Sequence, residues 1–369
     1  MKKSSRNLGK SAAINEILCR AEKLREKSLY IESLPLFRKA MEGYREIGDL
    51  RGILHCKLSL ADICRMTGKF GLAEKYYYES LDLAKGLKSP ETVTDAKVGL
   101  GLALRAQGRW REAVRLFDET KKIYKRKDDK QGLAFALWAK GGALRIKGDI
   151  SAAIGLFKRS YEIFRKLRDR QGEGYCLCGL GGASRIAGEF TDSLTYYRRA
   201  NRIFSSVGDT FGRAYSYCGM GNAHRMLEGY QKALGNFARA VRLYERIGDR
   251  VSYAYTLWGL GSTYKMMGDH RRARDHYLRA SSFFRTTRDK RGIIYCRLGL
   301  GEICVLEGKK AIARRYLLSA HNESVKSSFA VEECHAKILL SALERKINKE
   351  CYTRLGLKLG FQRLPLNIP

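Results

Sequence analysis

The feature that most constrains this chain is a repeat of 40 residues. Gly-x-Gly tripeptides recur in one register, at Gly99, Gly179, Gly219, Gly259 and Gly299. A small residue and, four positions later, a large residue follow in each unit. The small column is Ala73, Ala113, Ala153, Ser193, Ala233, Ala273 and Ala313, and the large column is Tyr77, Phe117, Phe157, Tyr197, Phe237, Tyr277 and Leu317. A fixed period of this length predicts a solenoid, whose neighbouring units bury one continuous core.

The glycine-rich stretch Cys178–Phe190 has the letters of a phosphate-binding loop. A dinucleotide loop occurs once per site, between a strand and a helix. Here the glycines recur in five units in the middle of apolar segments, so this interpretation fails. Spacings of three and four between the other columns instead predict helices with one buried face.

Each unit is therefore predicted to be a helix A, a short turn and a helix B. The turns are expected near Gly68, Gly108, Gly148, Gly188, Gly268 and Gly308. An aspartate at the unit junctions is expected to cap the next helix A, at Asp49, Asp129, Asp169, Asp209, Asp249 and Asp289. Ser89 and Pro90 are expected to do the same with a serine cap and a proline at the first helical position.

This column pattern resembles the tetratricopeptide repeat, although the proline that usually follows helix B is missing. The 40-residue unit is similar to the long subtype found in Pins-type spindle-orientation adaptors and in some bacterial proteins. The resemblance implies an all-α, right-handed α-solenoid of about eight helix-turn-helix repeats over residues 14–350. It ends in a C-terminal capping helix around Val331–Asn348. Residues 1–13 would then form a basic N-terminal tail.

Residues 351–369 are predicted to be a C-terminal extension, because the period breaks there. Alternating Leu355, Leu357, Leu359 and Phe361 suit docking on the protein or on a partner. Packing on the protein is the favoured alternative.

A basic column runs along the helices A, which in this family line the concave groove. Eight of its nine positions are basic: Arg25, Arg65, Arg105, Arg145, Arg185, Arg225, Lys265, Val305 and Arg345. In the four units from 105 to 225, three residues before the arginine stands Leu102, Gly142, Gly182 or Asn222, and four before stands glycine. No carboxylate therefore stands one helical turn before these arginines. The column is therefore predicted to bind a ligand, unless a neighbouring repeat supplies an acid.

An aromatic column lies ten positions before the arginines and holds tyrosine in its later units, with two tryptophans between the columns. Arginine, tyrosine and tryptophan are typical of binding hot spots. The alternative is that the aromatic residues pack each helix A on the next repeat. The predicted partner-binding residues are Arg65, Arg105, Arg145, Arg185, Arg225, Lys265, Trp138, Tyr175, Tyr215, Tyr255, Trp258 and Tyr295.

The spacing of the arginines suits an extended peptide. Packed helices lie roughly 8–10 Å apart and an extended chain advances about 3.3 Å per residue. About every third residue of such a segment would meet an arginine. The prediction is a non-enzymatic scaffold or adaptor that binds an acidic extended segment of a partner protein.

The alternative ligand is single-stranded RNA or another nucleic acid, since 71 Lys and Arg against 38 Asp and Glu give a net charge of +33. A nucleic-acid binder would also use the outer faces, where basic clusters such as Lys121-Lys122 and Arg198-Arg199 lie. Solvated surface is the favoured interpretation of those clusters. The sequence leaves the choice between peptide and RNA open, and it leaves the oligomeric state open.

Other classes of function find little support in the residues. The six histidines lack metal-ligand spacing, and Cys176 and Cys178 form C-x-C rather than C-x-x-C. Cys178 and Cys218 share a slot in adjacent units, where buried thiols are favoured over a metal site. We therefore expect no catalytic residues, no metal and no cofactor. No apolar run is long enough for a signal peptide or a membrane helix, so a cytoplasmic location without membrane insertion is expected.

Overall fold

The structure is a computed structural model that describes residues 2–344, 346–360 and 364–369, with side chains from Lys10 onward. Arg345 and Phe361 lie outside the described residues. Every regular element within those ranges is a helix. The helices are α1 (Lys2–Glu26), α2 (Tyr30–Ile47), α3 (Leu50–Met66), α4 (Phe70–Gly86), α5 (Pro90–Ala106), α6 (Trp110–Arg126), α7 (Lys130–Lys147), α8 (Ile150–Lys166), α9 (Arg170–Ala187), α10 (Phe190–Ser206), α11 (Thr210–Met226), α12 (Tyr230–Ile247), α13 (Arg250–Met266), α14 (His270–Thr287), α15 (Lys290–Leu306), α16 (Lys310–Ser327), α17 (Ala330–Ala342) and α18 (Glu350–Arg354).

The helices confirm the predicted all-α solenoid. Consecutive helices pack as pairs, and α1 to α16 make eight units, each with an odd-numbered helix A and an even-numbered helix B. The unpaired α17 covers the last unit as a capping helix and ends at Ala342. The residues expected to form an N-terminal tail belong, from Lys2 onward, to α1. No helix in the described ranges is both long and apolar enough to cross a membrane.

The large column, which lies on the helices B, fills the space that the glycines leave. Phe157, on α8, lies between Gly141 of its own helix A and Gly179 of the next. A Cβ atom built on Gly141 would come within 3.0 Å of the Phe157 ring, and one on Gly179 within 2.6 Å. Phe157 is 1% exposed. One side chain of the large column thus packs on two units, which is why the large column and the glycines recur together.

The junctions confirm the predicted aspartate caps. The carboxylates of Asp129, Asp169 and Asp209, for example, each accept a hydrogen bond from the backbone N–H three residues later, at 2.7–2.8 Å. The serine cap predicted at Ser89 is wrong. Its hydroxyl lies 2.7 Å from the hydroxyl of Thr92, and it accepts no backbone N–H. Proline at the first position of α5 has no N–H to be capped, so the demand for a cap is smaller there.

Successive turns of the superhelix touch. Arg111 on α6 donates a 3.0 Å hydrogen bond to the hydroxyl of Ser328, which is 217 residues away in the chain. Beside it, the fully buried Phe329 packs on the turn at Gly108, where a Cβ atom would come within 2.6 Å of the ring. The turn at Gly108 therefore packs on a segment more than five units further along. These contacts enclose the groove that the helices A line.

The C-terminal extension packs on the solenoid and then enters the groove. Leu357 and Leu359 are 6% and 5% exposed, and the backbone N–H of Lys358 donates to the carbonyl oxygen of Ala187 at 2.8 Å. Beyond the undescribed residues 361–363, Leu366 is fully buried.

Candidate functional site

The basic column forms a ladder along the groove, which we call the arginine ladder: Arg25, Arg65, Arg105, Arg145, Arg185, Arg225 and Lys265. Its members end successive helices A, and five of them, Arg25, Arg65, Arg105, Arg145 and Arg185, line two cavities. The arginine cavity, of about 300 Å³, is lined by Arg105, Arg145, Arg185, Tyr215, Tyr255, Trp258 and Tyr295 among others. The N-terminal cavity, of about 400 Å³, includes Arg25, Arg65, Trp138 and Tyr175. The structure thus brings ten of the twelve predicted site residues to the walls of two adjacent cavities.

At the N-terminal end of the ladder, acids on the same helix neutralise the cations. The Arg25 guanidinium donates to Glu22 at 2.6 Å, and that of Arg65 donates to Asp62 at 3.0 Å. In both units the acid stands three residues before the arginine, on the same helical face. The Tyr77 hydroxyl donates to Asp62 at 2.6 Å and completes this network. Both cations therefore already have a protein partner.

At the C-terminal end, the acid comes from the next unit. The Lys265 ammonium, on α13, forms an ion pair with Glu302 on α15 and also donates to the carbonyl oxygen of Leu366 at 2.7 Å. Lys265 is 3% exposed and Glu302 is fully buried. Burial lowers the pKa of Lys265, and Glu302 opposes that shift. The neighbouring-repeat acid that the sequence left open exists at this position.

In the middle of the ladder, glycine replaces the acid. A Cβ atom built on Gly142 would overlap the Arg105 guanidinium, and one built on Gly182 would overlap that of Arg145. The Arg105 guanidinium also donates to the backbone carbonyl of Ala139 at 3.3 Å. Each guanidinium therefore lies directly against the backbone of the next helix A. Glycine there leaves room for a cation but supplies no charge to balance it.

The central cations lack counter-ions. Among the residues that the structure describes, Nε of Arg145 and both Nε and Nη1 of Arg185 are buried without a hydrogen-bond partner. Burial, followed by repulsion from Arg145, lowers the pKa of Arg105 to about 10. Buried donors without an acceptor, on like charges held close together, are costly. An anion in the arginine cavity would relieve both penalties.

Arg225 is fully buried and has a different environment. Its guanidinium donates to the carbonyl oxygen of Ile368 at 2.9 Å, to the side-chain oxygen of Asn222 at 3.3 Å and to that of Asn367. The Trp258 ring centroid lies 5.3 Å from the Arg225 guanidinium carbon. Burial, followed by the charge of Arg185, lowers the pKa of Arg225 to about 9. All of these partners are neutral, so its charge is hydrogen-bonded but not neutralised.

The two tryptophans connect neighbouring helices A. The indole N–H of Trp138 donates to the backbone carbonyl of Tyr175 at 3.1 Å, and that of Trp258 donates to the carbonyl of Tyr295 at 3.3 Å. In each pair the rings also touch, with centroids 6.0 Å and 4.9 Å apart. These aromatic residues therefore form the cavity wall and hold adjacent units together.

Three tyrosines of the aromatic column use their hydroxyls for inter-unit contacts. The hydroxyl of Tyr175 donates to Asp209 at 2.8 Å, and that of Tyr295 donates to Glu332 at 2.9 Å. Burial, followed by the charge of Asp289, raises the pKa of Tyr255 well above its usual value. Such contacts are expected if the tyrosines pack each helix A on the next repeat, which was the alternative to ligand binding. The same tyrosines also line the two cavities. Tyr215 is half-buried and lines the arginine cavity.

Sequence reasoning missed the acids at the ladder ends. Glu22, Asp62 and Glu302 occupy the column that holds Gly142 and Gly182 in the middle units. Comparison of that column over all units, rather than over the four central ones, would have revealed the difference. The role of Asn367 had no sequence signal, because it lies outside the repeats.

The described residues contain no group of three or more His, Cys, Asp or Glu side chains placed to hold a metal ion. Cys178 is fully buried and Cys218 is 9% exposed. Burial raises the pKa of both thiols, which keeps them protonated at neutral pH.

Comparison with known proteins identifies the repeats. The sequence profile of the tetratricopeptide repeat matches residues 13–86, 92–166, 175–246 and 213–286, more than half of the chain. None of the curated proteins matches the full sequence significantly.

Several solved structures share the fold. A Rap protein complexed with competence and sporulation factor has a TM-score of 0.59 at 14% identity, over 91% of this chain and 98% of that one. The Rap conjugation gene regulator of plasmid pLS20, in complex with the Phr* peptide, has a TM-score of 0.66 at 11% identity, over 85% and 96%. The APC/C hetero-tetramer Cut9–Hcn1 has a TM-score of 0.59 at 16% identity, over 89% and 55%. At these identities the likeness is one of fold.

Proposed function

This chain belongs to the tetratricopeptide-repeat family and is a protein-interaction scaffold, and we propose that its enclosed groove binds an acidic extended segment of a partner protein. The observation that carries the proposal is the set of buried, unpaired donors on Arg145 and Arg185 in the arginine cavity. Nothing in the site is arranged for catalysis, so we infer a binding function without chemistry.

The chemistry of the cavity supports a carboxylate as ligand. A carboxylate accepts two parallel hydrogen bonds from a guanidinium, and such charge-assisted bonds are about twice as strong as neutral ones. Among the side chains of the described residues in the lining, Asp289 is the only acid; it caps α15 and is 4% exposed. An incoming carboxylate therefore meets several cations and little like charge.

The dimensions support a peptide rather than a folded domain. A partly open cavity of about 300 Å³ admits a few residues of extended chain. The Rap conjugation gene regulator of plasmid pLS20, which shares the fold, is in complex with the Phr* peptide. This supports the choice of a short segment, on the basis of a shared fold.

The nucleic-acid alternative has weaker support. A binder of that kind needs its outer phosphate contacts free, but several basic side chains on the helices B are paired with acids. Lys121 pairs with Asp118 at 3.0 Å, and Arg165 with Glu162 at 2.8 Å. Polymeric nucleic acid would also have to enter a groove closed by contacts between the turns.

The test is a binding titration on the full chain with a labelled, terminally blocked peptide that carries glutamate at every third position. The paired variant Arg145→Gln/Arg185→Gln should weaken binding by about 100-fold, since two charge-assisted contacts are worth together roughly 3 kcal/mol. A peptide with glutamine in place of glutamate should not bind.

The matched control is Arg198→Gln/Arg202→Gln, which removes the same charge from exposed positions on α10. It should keep the wild-type affinity within about twofold. Equal losses in both double variants would mean that the peptide responds to overall charge, and the proposed site would be wrong. Tighter binding of a single-stranded oligonucleotide than of the acidic peptide would favour the nucleic-acid function.

A further inference from the structure

Part of the groove is already occupied by the chain itself. Residues 364–369, which we call the inserted segment, run without helix or strand through units six to eight. Leu366 is fully buried, Ile368 is 6% exposed, and Pro369 borders the arginine cavity. The segment lies against the helices A of these three units, where it contacts Arg225, Lys265 and Glu302.

The arginine ladder and Glu302 hold the backbone of this segment. Lys265 donates to the carbonyl oxygen of Leu366 at 2.7 Å, and the N–H of Leu366 donates to the Glu302 carboxylate. Arg225 donates to the carbonyl oxygen of Ile368 at 2.9 Å. The inserted segment has no secondary structure, so without these bonds its buried backbone N–H and C=O groups would be unpaired. The ladder therefore supplies backbone recognition that any extended chain can use.

One side chain is recognised specifically. The Asn367 amide donates through Nδ2 to the backbone carbonyl of Arg225 at 2.9 Å and accepts from the Arg225 guanidinium through Oδ1. This two-way contact needs a donor and an acceptor on one short side chain. Aspartate lacks the donor, and leucine lacks both groups.

Apolar residues flank the asparagine and fill pockets. Ile368 lies beside a small void, whose lining includes Trp258, Tyr295 and Leu298. Leu366, on the other side of the asparagine, is completely removed from solvent. The site thus combines two apolar pockets with an amide-binding position between them.

We propose that the inserted segment is a tethered ligand, and that the Arg225–Lys265–Glu302 site also binds a partner segment of apolar–asparagine–apolar sequence, which exchanges with it. The site adjoins the arginine cavity, and the proposal rests on the same groove as the proposed function. A partner would then present this motif next to its acidic residues. A tethered segment has an effective concentration on the order of millimolar, so the external segment binds only in competition with it.

The test uses the full chain and a fluorescent hexapeptide of the segment's own sequence, LPLNIP, acetylated and amidated so that it carries no charge. Asn367→Ala weakens the tethered segment and leaves every groove residue in place. The labelled peptide should bind this variant at least tenfold more tightly than it binds the wild-type chain. LPLAIP should not bind either protein. Asn348→Ala changes an exposed asparagine outside the groove and should behave as wild type.

A folded Asn367→Ala variant that does not bind LPLNIP, or that binds LPLNIP and LPLAIP equally, would overturn the proposal. If that variant does not fold, the wild-type chain still gives an answer. Millimolar unlabelled peptide should speed amide hydrogen exchange at Leu366, Asn367 and Ile368, and unchanged exchange would contradict exchange of the segment. Because LPLNIP has no carboxylate, its binding should survive Arg145→Gln/Arg185→Gln, so failure of one proposal is separable from failure of the other.

Discussion

The ends and the middle of the arginine ladder use the same side chain in two ways. Arg25 and Arg65 have carboxylates within one helical turn, and Lys265 has one on the next helix A. Arg145 and Arg185 have glycine three positions before them, at Gly142 and Gly182, and buried donors of both guanidinium groups are unpaired. The same repeated position is therefore neutralised within the protein at the ends and left without a counter-ion in the middle. The difference lies in one column, three positions before the basic column, which supplies Glu22 and Asp62 within the same unit and Glu302 from the next one.

The largest effect is expected from Glu302→Gln. It leaves the buried Lys265 without its counter-ion, and the loss of one partner of a buried pair costs about 3 kcal/mol. The denaturant midpoint should fall accordingly. Glu119→Gln, which breaks the exposed 2.9 Å pair with Lys97, should change stability by less than about 1 kcal/mol. Equal midpoints for the two variants would show that the C-terminal end of the ladder is no better neutralised than the surface.

Asn222→Asp should convert a middle position into an end position with almost no change of shape. The side-chain oxygen of Asn222 already accepts from Arg225 at 3.3 Å, and a carboxylate there would neutralise the buried cation. Aspartate loses the hydrogen bond that Asn222 Nδ2 donates to the carbonyl oxygen of Cys218 at 3.1 Å, but the charge-assisted bond should outweigh this loss by roughly 1–2 kcal/mol. The same charge should weaken binding of the acidic peptide by about tenfold. Thermal unfolding and the peptide titration measure the two effects. A more stable variant with unchanged peptide affinity would separate the ladder's charge from ligand binding.

The smallest effect is expected at Glu22, and it should depend on pH. Burial by itself would raise the pKa of Glu22, but hydrogen bonds from His55 and Arg25 outweigh it and hold the pKa at about 2, against 4.5 for a free glutamate. A lowered pKa stabilises the fold above pH 4.5, and this stabilisation is lost as the pH falls towards 2.

Glu22→Gln should therefore cost on the order of 1 kcal/mol at pH 7, after allowance for solvent screening at this partly exposed site. Wild type and variant should converge between pH 4.5 and pH 2. A difference that stays constant over this window would mean that the loss comes from packing rather than from charge.

Most of the fold was predictable because the repeat fixes the helices, the turns and the packing columns together. The aspartate caps and the glycine–aromatic contacts follow from local sequence, as at Asp129 and Phe157. The position of the basic column was predictable for the same reason. The partners of the later cations were not, because Lys265 meets Glu302 across units and Arg225 meets Asn367 across 142 residues. The contacts of the inserted segment with Arg225 and Lys265 join residues more than 100 positions apart, and the 40-residue repeat contains no information about them.

The contact between Arg111 and Ser328 has a consequence for how the whole molecule unfolds. In an open solenoid each repeat touches only its neighbours, so stability is nearly a sum along a line, and the ends fray independently. Here the third unit and the capping region are in contact, so the stability of each also depends on a unit that is far along the chain. We therefore expect these two regions to unfold together, and we expect removal or insertion of a single unit between them to shift this contact out of register.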